Sequence, residues 1–83
     1  MYYLYLLECA DKTLYTGITT DLERRLYEHN FSTLGAKYTA ARRPVKLVYS
    51  EKFVDRAKAS KQEYIIKHLS RVEKLALIKK PLV

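Results

Sequence analysis

Residues 3–19, YLYLLECADKTLYTGIT, contain two segments of alternating side chains on either side of a short polar turn. Such alternation is typical of strands, so it predicts strands over 2–9 and 13–18 that pair as a hairpin. Both faces of the first strand are apolar, which places this strand at the centre of its sheet. The hairpin is therefore expected to be the start of a larger sheet.

Two tyrosines and a glycine share one face of the predicted hairpin. A three-residue turn sets Tyr5 opposite Gly17 and Leu7 opposite Tyr15, so the two tyrosines become diagonal neighbours. Because glycine has no side chain, we expect Gly17 to leave an open position beside Tyr5. Two phenols at such an opening suit proton chemistry or phosphate binding, although tyrosine also packs in strands with no catalytic role.

The helix after the hairpin is predicted to begin at Thr20 or Asp21, either of which can cap it. Its predicted apolar stripe consists of Leu22, Leu26, Tyr27 and Phe31. Arg25 and His29 are four residues apart and therefore share one helix face near the end of the second strand. An ion pair with Asp21 would explain Arg25, and a favourable charge near the C-terminus of the helix would explain His29. A guanidinium beside two tyrosines is also suited to binding a phosphate.

Three more elements complete the predicted fold. Residues 32–44 form a basic loop, 45–53 alternate as a third strand, and two helices follow. These helices are capped by Asp55 and Ser70, and Pro81 ends the second of them. The order β-β-α-β-α-α predicts an α/β fold of the α+β kind, a small three-stranded antiparallel sheet flanked by helices.

Length and composition narrow the classes of function. The 83 residues predict one domain, 1–83, and no apolar run approaches the roughly 18 residues of a membrane span. The single cysteine, Cys9, is expected to pack as a small hydrophobic residue and fits a reducing, cytoplasmic location. The formal net charge of +7 favours a polyanion partner, with nucleic acid first and an anionic membrane surface second, and solubility is the alternative explanation.

Five segments match a known family in order. They are YLY and YTG in the hairpin, TDLERRLYEHN in the first helix, KYTAARRPVKLVYSE in the loop and third strand, and KASKQEYIIKHLS in the next helix. Together they resemble the GIY-YIG endonuclease domain, and in particular its small stand-alone members. The resemblance covers almost the whole chain, and the ordered set is specific although each tripeptide alone is weak evidence.

The resemblance implies a metal-dependent endonuclease that hydrolyses DNA phosphodiester bonds, with an expected role in DNA repair or recombination. The implied site residues are Tyr5, Tyr15, Arg25, His29 and Glu63, with Gly17 closing the second tripeptide. A tyrosine, foremost Tyr15, would activate or orient the attacking water with help from Tyr5 and His29. Arg25 would stabilise the phosphoryl charge.

The same resemblance implies one Mg²⁺ or Mn²⁺ ion, bound by Glu63 together with waters and the substrate phosphate. Without the resemblance, Glu63 would be explained as half of an ion pair with Lys67, four residues on. Three features depart from the family pattern. Tyr3 stands where glycine is usual, the nine residues between the tripeptides are slightly few, and a late asparagine is missing, since the chain has only Asn30. Ser70 is a candidate replacement.

DNA binding is predicted for a basic cluster in and after the loop. Its members are Lys37, Tyr38, Arg42, Arg43 and Lys46. The cations would contact backbone phosphates, and Tyr38 would stack on a base. The expected partner is DNA and not a membrane, with the chain as a monomer or weak homodimer. Two alternatives are a DNA-binding module of this fold with little or no catalysis, and a protein-interaction subunit with an apolar patch on the last helix, VEKLALI.

Overall fold

The computed structural model describes residues 1–79 and confirms the order β-β-α-β-α-α, with one added helical turn. The elements are β1 (Tyr2–Glu8), β2 (Leu14–Thr19), α1 (Leu22–Phe31), α2 (Lys37–Ala40), β3 (Lys46–Phe53), α3 (Arg56–Lys67) and α4 (Arg71–Ile78). The addition is α2, a single turn inside the predicted basic loop. The predicted helix end at Pro81 lies outside the described residues, as does the end of the predicted domain 1–83. Within the described part, no helix is long and apolar enough to cross a membrane.

The strands form an antiparallel sheet in the order β2-β1-β3, so β1 is central, as its two apolar faces predict. The register pairs Tyr5 with Gly17 and Leu7 with Tyr15, which confirms the predicted hairpin. A slip of one residue would send Tyr15 and Gly17 to the opposite face of the sheet. The register is therefore what brings the two tyrosines together.

Different helices cover the two faces of the sheet and divide the core into two halves. The α1 half contains buried Tyr5, Leu7, Cys9 and Val45, with Leu22 and Leu26 packed against them. The other half contains fully buried Leu4, Leu6 and Ile66, with Leu69, Leu77 and Ile78 among their neighbours. Each fully buried leucine contributes roughly 1.5–3 kcal/mol to stability. Because Leu77 and Ile78 of α4 lie in this core, they do not form the exposed apolar patch that the protein-interaction alternative requires.

The predicted apolar stripe of α1 is correct for its leucines and wrong for its aromatic pair. Tyr27 and Phe31 are 61% and 72% exposed, and their ring centroids lie 5.2 Å apart on the outer side of the helix. The positions that share a face with the leucines, by the helical period, are those of Arg25 and His29. The helix therefore directs its polar pair, and not its aromatic pair, towards the sheet.

Two polar residues that the sequence singles out have structural roles. The amide of Asn30 donates to the Val45 carbonyl at 2.9 Å and accepts from the Val45 N–H at 2.7 Å, which fastens α1 to the start of β3. The Ser70 hydroxyl accepts from the Glu73 N–H, while the Glu73 carboxylate accepts from the Ser70 N–H. Ser70 thus caps α4 through a capping box.

Candidate active site

Three aromatic rings from β1, β2 and α1 meet on the α1 side of the sheet. The Tyr5 hydroxyl and His29 Nε2 are 2.8 Å apart in a buried contact. The Tyr15 ring centroid lies 5.2 Å from that of His29 and 6.5 Å from that of Tyr5. The hairpin register and the i, i+4 spacing on α1 thus bring together three of the residues that the sequence predicts for the site.

Gly17 is required at this site because the Tyr5 ring lies across it. A Cβ atom added to Gly17 would lie 2.6 Å from Tyr5 Cζ, closer than real Cβ atoms approach. The backbone of Gly17 does not have a positive φ, so the requirement is for space and not for conformation. The expected open position beside Tyr5 is therefore wrong, since the tyrosine ring itself fills the gap that glycine leaves.

Arg25 is held beside the Tyr5 hydroxyl by two hydrogen bonds. Its Nη1 donates to Glu28 Oε1 and to the Leu34 carbonyl, each at 2.9 Å. The Asp21 carboxylate caps α1 by accepting from a backbone N–H, and the ion pair of Arg25 is with Glu28 instead. Burial acts to lower the pKa of Arg25, but Glu28 and Tyr5 outweigh burial and raise this pKa above its ordinary value. The guanidinium is therefore a permanent cation.

His29 is fully buried and has a hydrogen-bond partner at each ring nitrogen. Nε2 contacts Tyr5, and Nδ1 lies 2.8 Å from Thr39 Oγ1. Burial lowers the pKa of His29 from 6.5 to about 4, and the positive charges of Arg25 and Arg43 make smaller contributions in the same direction. The imidazole is therefore neutral near pH 7, and a favourable charge at the helix end does not explain its presence. No sequence pattern assigns a role to Thr39, because only the unpredicted α2 brings it to His29.

Acidification is expected to destabilise the protein through His29. Because its folded pKa of about 4 lies below the ordinary 6.5, the unfolded chain binds the proton first as the pH falls. The contribution of neutral His29 to the free energy of unfolding is complete above pH 6.5. It is lost between pH 6.5 and pH 4, and the loss is on the order of 3 kcal/mol. Urea unfolding across this range should show a smaller loss for His29→Gln than for the wild type. His68→Gln, which changes an exposed histidine, is the control. Equal pH dependence of stability in all three proteins would contradict the lowered pKa of His29.

Glu63 lies on α3, and its charge acts on Tyr5. Burial raises the pKa of Tyr5 above its ordinary value, Arg25 opposes the rise, and the charges of Tyr15 and Glu63 add to it. The side chain of Glu63 is 22% exposed, and Lys67 Nζ lies 3.4 Å from Oε2, so the ion pair expected from the spacing is also present.

The donor set around Glu63 fits a weakly held ion and not a closed metal site. Within residues 1–79, no three His, Cys, Asp or Glu side chains converge in a way that could hold a metal ion. Mg²⁺ is commonly bound through one or two carboxylates, with waters and substrate phosphates completing its coordination. Glu63 can therefore hold such an ion only in combination with waters and a phosphate.

Part of the predicted DNA-binding cluster is folded against the site. The Tyr38 ring stacks on that of Tyr15, with centroids 5.9 Å apart, and the Arg42 guanidinium lies 3.9 Å from the centroid of the Tyr38 ring. Arg42 also pairs with Asp11 of the hairpin turn at 3.0 Å. The ring expected to stack on a base therefore already has two partners within the protein.

The other cations of the cluster differ in their availability. Arg43 donates to the carbonyls of Glu28, His29 and Ser32, which satisfies the C-terminal end of α1. Lys46 lies 3.4 Å from the Glu8 carboxylate. Lys37 is exposed and has no acidic partner in the part of the chain that the structure describes. Free positive charge in this cluster is therefore greatest at Lys37.

Comparison with known proteins gives a family match. Residues 1–76 match the family model of the GIY-YIG catalytic domain. A UPF0213 protein of Desulfotalea psychrophila is 56% identical over 78 residues, which cover 94% of this chain and 71% of the relative. A UPF0213 protein of Syntrophus aciditrophicus is 57% identical over 77 residues, covering 93% of this chain and 88% of the relative. These matches include the hairpin, α1 and α3.

Two solved structures have a similar fold. The solution NMR structure of a UPF0213 protein from Bacillus halodurans superposes with a TM-score of 0.60 at 47% identity, covering 94% of this chain and 83% of that one. The NMR structure of a protein from E. faecalis gives a TM-score of 0.61 at 48% identity, covering 88% and 77%. The three-stranded sheet with flanking helices is thus shared with these proteins.

Proposed function

Because the chain belongs to the GIY-YIG catalytic domain family, a family of nucleases that act on DNA, we propose that it is a metal-dependent endonuclease that hydrolyses DNA phosphodiester bonds. The observation that supports this most is the buried Tyr5–His29 contact of 2.8 Å beside the permanent cation Arg25. A neutral imidazole, a phenol and a fixed guanidinium lie side by side here, and these groups can orient a water and bind a phosphate. A role in catalysis accounts for the arrangement.

In the proposed reaction, Arg25 binds the scissile phosphate and stabilises the charge that develops on its oxygens. Within the described residues, both side-chain hydrogen bonds of Arg25 use Nη1. Its other guanidinium donors can interact with the Tyr5 hydroxyl and with phosphate oxygens, which a planar guanidinium can bind in pairs. Glu28 and the Leu34 carbonyl fix the orientation of the group before the substrate arrives.

The two tyrosines have different parts in this proposal. Tyr5 keeps its proton, since burial raises its pKa and its hydroxyl contacts His29. Tyr15 makes no side-chain hydrogen bond within residues 1–79, so its hydroxyl is available to contact the attacking water. We therefore assign activation or orientation of the water to Tyr15, with Tyr5 and His29 as its support.

Glu63 is the proposed ligand of one Mg²⁺ or Mn²⁺ ion. When bound, the ion supplies a Lewis acid for the phosphoryl group. Lys67 neutralises the Glu63 carboxylate in the absence of metal, at 3.4 Å, and competes with the ion for it. We therefore expect weak metal binding without DNA and tighter binding with it.

DNA backbone contacts are proposed for cations that the protein leaves without acidic partners. Besides Lys37, these include Arg56, Lys58 and Lys61 on α3, all exposed and without an ion pair in the described part of the chain. Arg56 lies two helical turns before Glu63 on the same face of α3, so a backbone strand along this face would reach both. The loop cations predicted from sequence stay part of the proposal. Arg42, Arg43 and Lys46 would have to exchange their present partners for phosphates.

The same proposal includes a role in DNA repair or recombination, a cytoplasmic location, a single domain spanning 1–83, and a monomer or weak homodimer.

Incubation of the purified protein with supercoiled, branched and single-stranded DNA tests the endonuclease activity, which is the central part of the proposal. The proposal expects cleavage with Mg²⁺ or Mn²⁺ and none with EDTA. Salt-sensitive binding without cleavage in either metal would overturn the endonuclease assignment and support the alternative, a DNA-binding module with little or no catalysis.

A further inference from the structure

A buried series of hydrogen bonds connects α2 to the Tyr5 hydroxyl. Thr39 Oγ1 donates to the Ala36 carbonyl at 2.9 Å, His29 Nδ1 lies 2.8 Å from Thr39 Oγ1, and His29 Nε2 lies 2.8 Å from the Tyr5 hydroxyl. Thr39 and His29 are both fully buried, and Tyr5 is almost so. The hydroxyl and imidazole groups of Thr39, His29 and Tyr5 are therefore hydrogen-bonded within the protein, and the Ala36 carbonyl, which also accepts from the Ala40 N–H, ends the series.

The Ala36 carbonyl fixes the direction of every bond in the series, because a carbonyl oxygen can only accept. The Thr39 hydroxyl has one proton, which it gives to Ala36, so its lone pairs are left for His29. His29 Nδ1 must therefore carry the ring proton and donate it to Thr39. In a neutral imidazole, Nε2 is then an acceptor, and the Tyr5 hydroxyl donates to it.

We infer that Thr39 is a positioning residue for the nuclease site, because it selects the Nδ1–H tautomer of His29 and so fixes the direction of the Tyr5 hydroxyl. The Tyr5 proton is directed at His29, and the Tyr5 lone pairs are directed away from it, towards Arg25 and the substrate. The role in catalysis rests on the proposed function, whereas the tautomer can be measured without it. Of the two tyrosines, Tyr15 is therefore the one whose hydroxyl proton is not donated to any protein group within the described residues.

Gly35 explains how Thr39 reaches this position. A Cβ atom added to Gly35 would lie 2.6 Å from the Glu28 carbonyl oxygen and 2.8 Å from His29 Cα. The segment that leads into α2 therefore approaches the last turns of α1 more closely than any side chain allows. Both glycines of the chain thus serve one site, since Gly17 makes room for the Tyr5 ring and Gly35 for the segment that presents Thr39.

Replacing Thr39 by valine or by serine separates the hydroxyl from the shape of the side chain. Valine keeps the branched shape and removes the hydroxyl, while serine keeps the hydroxyl. A His68→Gln background leaves His29 as the one histidine, so ¹⁵N NMR of the imidazole reports its tautomer directly. We expect the Nδ1–H tautomer in the parent protein and in Thr39→Ser, and a shift towards Nε2–H in Thr39→Val.

The cleavage rate provides the second measurement. Thr39→Val should lower kcat about 10- to 100-fold with little change in KM, by analogy with the loss of a group that orients a metal-bound histidine, and Thr39→Ser should restore it. An Nε2–H tautomer in the parent protein would overturn the inference even if Thr39→Val fails to fold. An unchanged tautomer in folded Thr39→Val would also overturn it, because a lower rate would then reflect packing alone. Absence of cleavage by the parent protein would overturn the proposed function and leave the tautomer result standing.

Discussion

Replacing Arg25 by alanine is expected to lower kcat for DNA cleavage by about 10³-fold or more, the range found for arginines that stabilise a transferring phosphoryl group. The side chain is held at the site before substrate binds, by Glu28 and the Leu34 carbonyl at 2.9 Å each. Because it is a permanent cation, no change of pH replaces its charge once it is removed. Single-turnover cleavage with saturating protein measures this effect separately from DNA affinity.

Arg24→Ala is the matched control for this experiment. Arg24 is the neighbouring residue, its side chain is 65% exposed, and its loss changes the net charge by the same amount. Arg24 also pairs with Glu28, but at 3.9 Å, whereas Arg25 keeps its own contact with Glu28 at 2.9 Å. The loss of Arg24 should therefore weaken mainly the long-range attraction to DNA, an effect that is largest at low salt concentration and that saturating protein removes from the cleavage rate. Arg25→Lys keeps the charge and loses the planar fork, so we expect it to stay well below the wild type. Equal cleavage rates for Arg24→Ala and Arg25→Ala would contradict the role given to Arg25.

Replacing Glu63 by glutamine is expected to reduce metal-dependent cleavage by about 10²- to 10³-fold, since Lewis-acid stabilisation at a phosphoryl oxygen is worth several kcal/mol. The amide keeps the size of the side chain and removes the charge that Mg²⁺ or Mn²⁺ requires. DNA affinity without metal should not fall, because a negative charge is lost from a basic face of α3. A Mn²⁺ titration in the presence of uncleaved DNA should show weaker binding in the variant.

Glu23→Gln is the control for Glu63→Gln, because Glu23 is an exposed carboxylate in the first turn of α1. It should cleave and bind Mn²⁺ like the wild type. If Glu63→Gln binds Mn²⁺ as tightly as this control does, the metal is held elsewhere. In that case Glu63 has only the structural role of pairing with Lys67.

The hairpin and its tyrosine pair could be predicted from sequence because their physics is local. Alternation sets which side chains share a face, and a three-residue turn then fixes Tyr5 opposite Gly17, as the register shows. The i, i+4 spacing of Arg25 and His29 is equally local, and it predicts that the two side chains share one face of α1. The role of Glu63 could be predicted only through the family resemblance, because its spacing to Lys67 is fully explained by an ordinary helix ion pair.

The remaining features of the site depend on contacts between distant segments. Nothing in the sequence near Thr39 shows that it meets His29, since that contact requires the α2 turn and the close approach at Gly35. The role of Arg43 at the end of α1 is hidden for the same reason. Phe31 lies outward although it is apolar, because the helical period, and not hydrophobicity alone, determines which face of α1 is covered.

A single comparison of DNA binding and DNA cleavage, made with the wild type and Glu63→Gln in Mg²⁺, tests the nuclease assignment most directly. The proposed site predicts that both proteins bind the same DNA and that only the wild type cleaves it at an appreciable rate. Binding by both proteins with no cleavage by the wild type in any metal would contradict the assignment. Cleavage by both at equal rates would contradict the site.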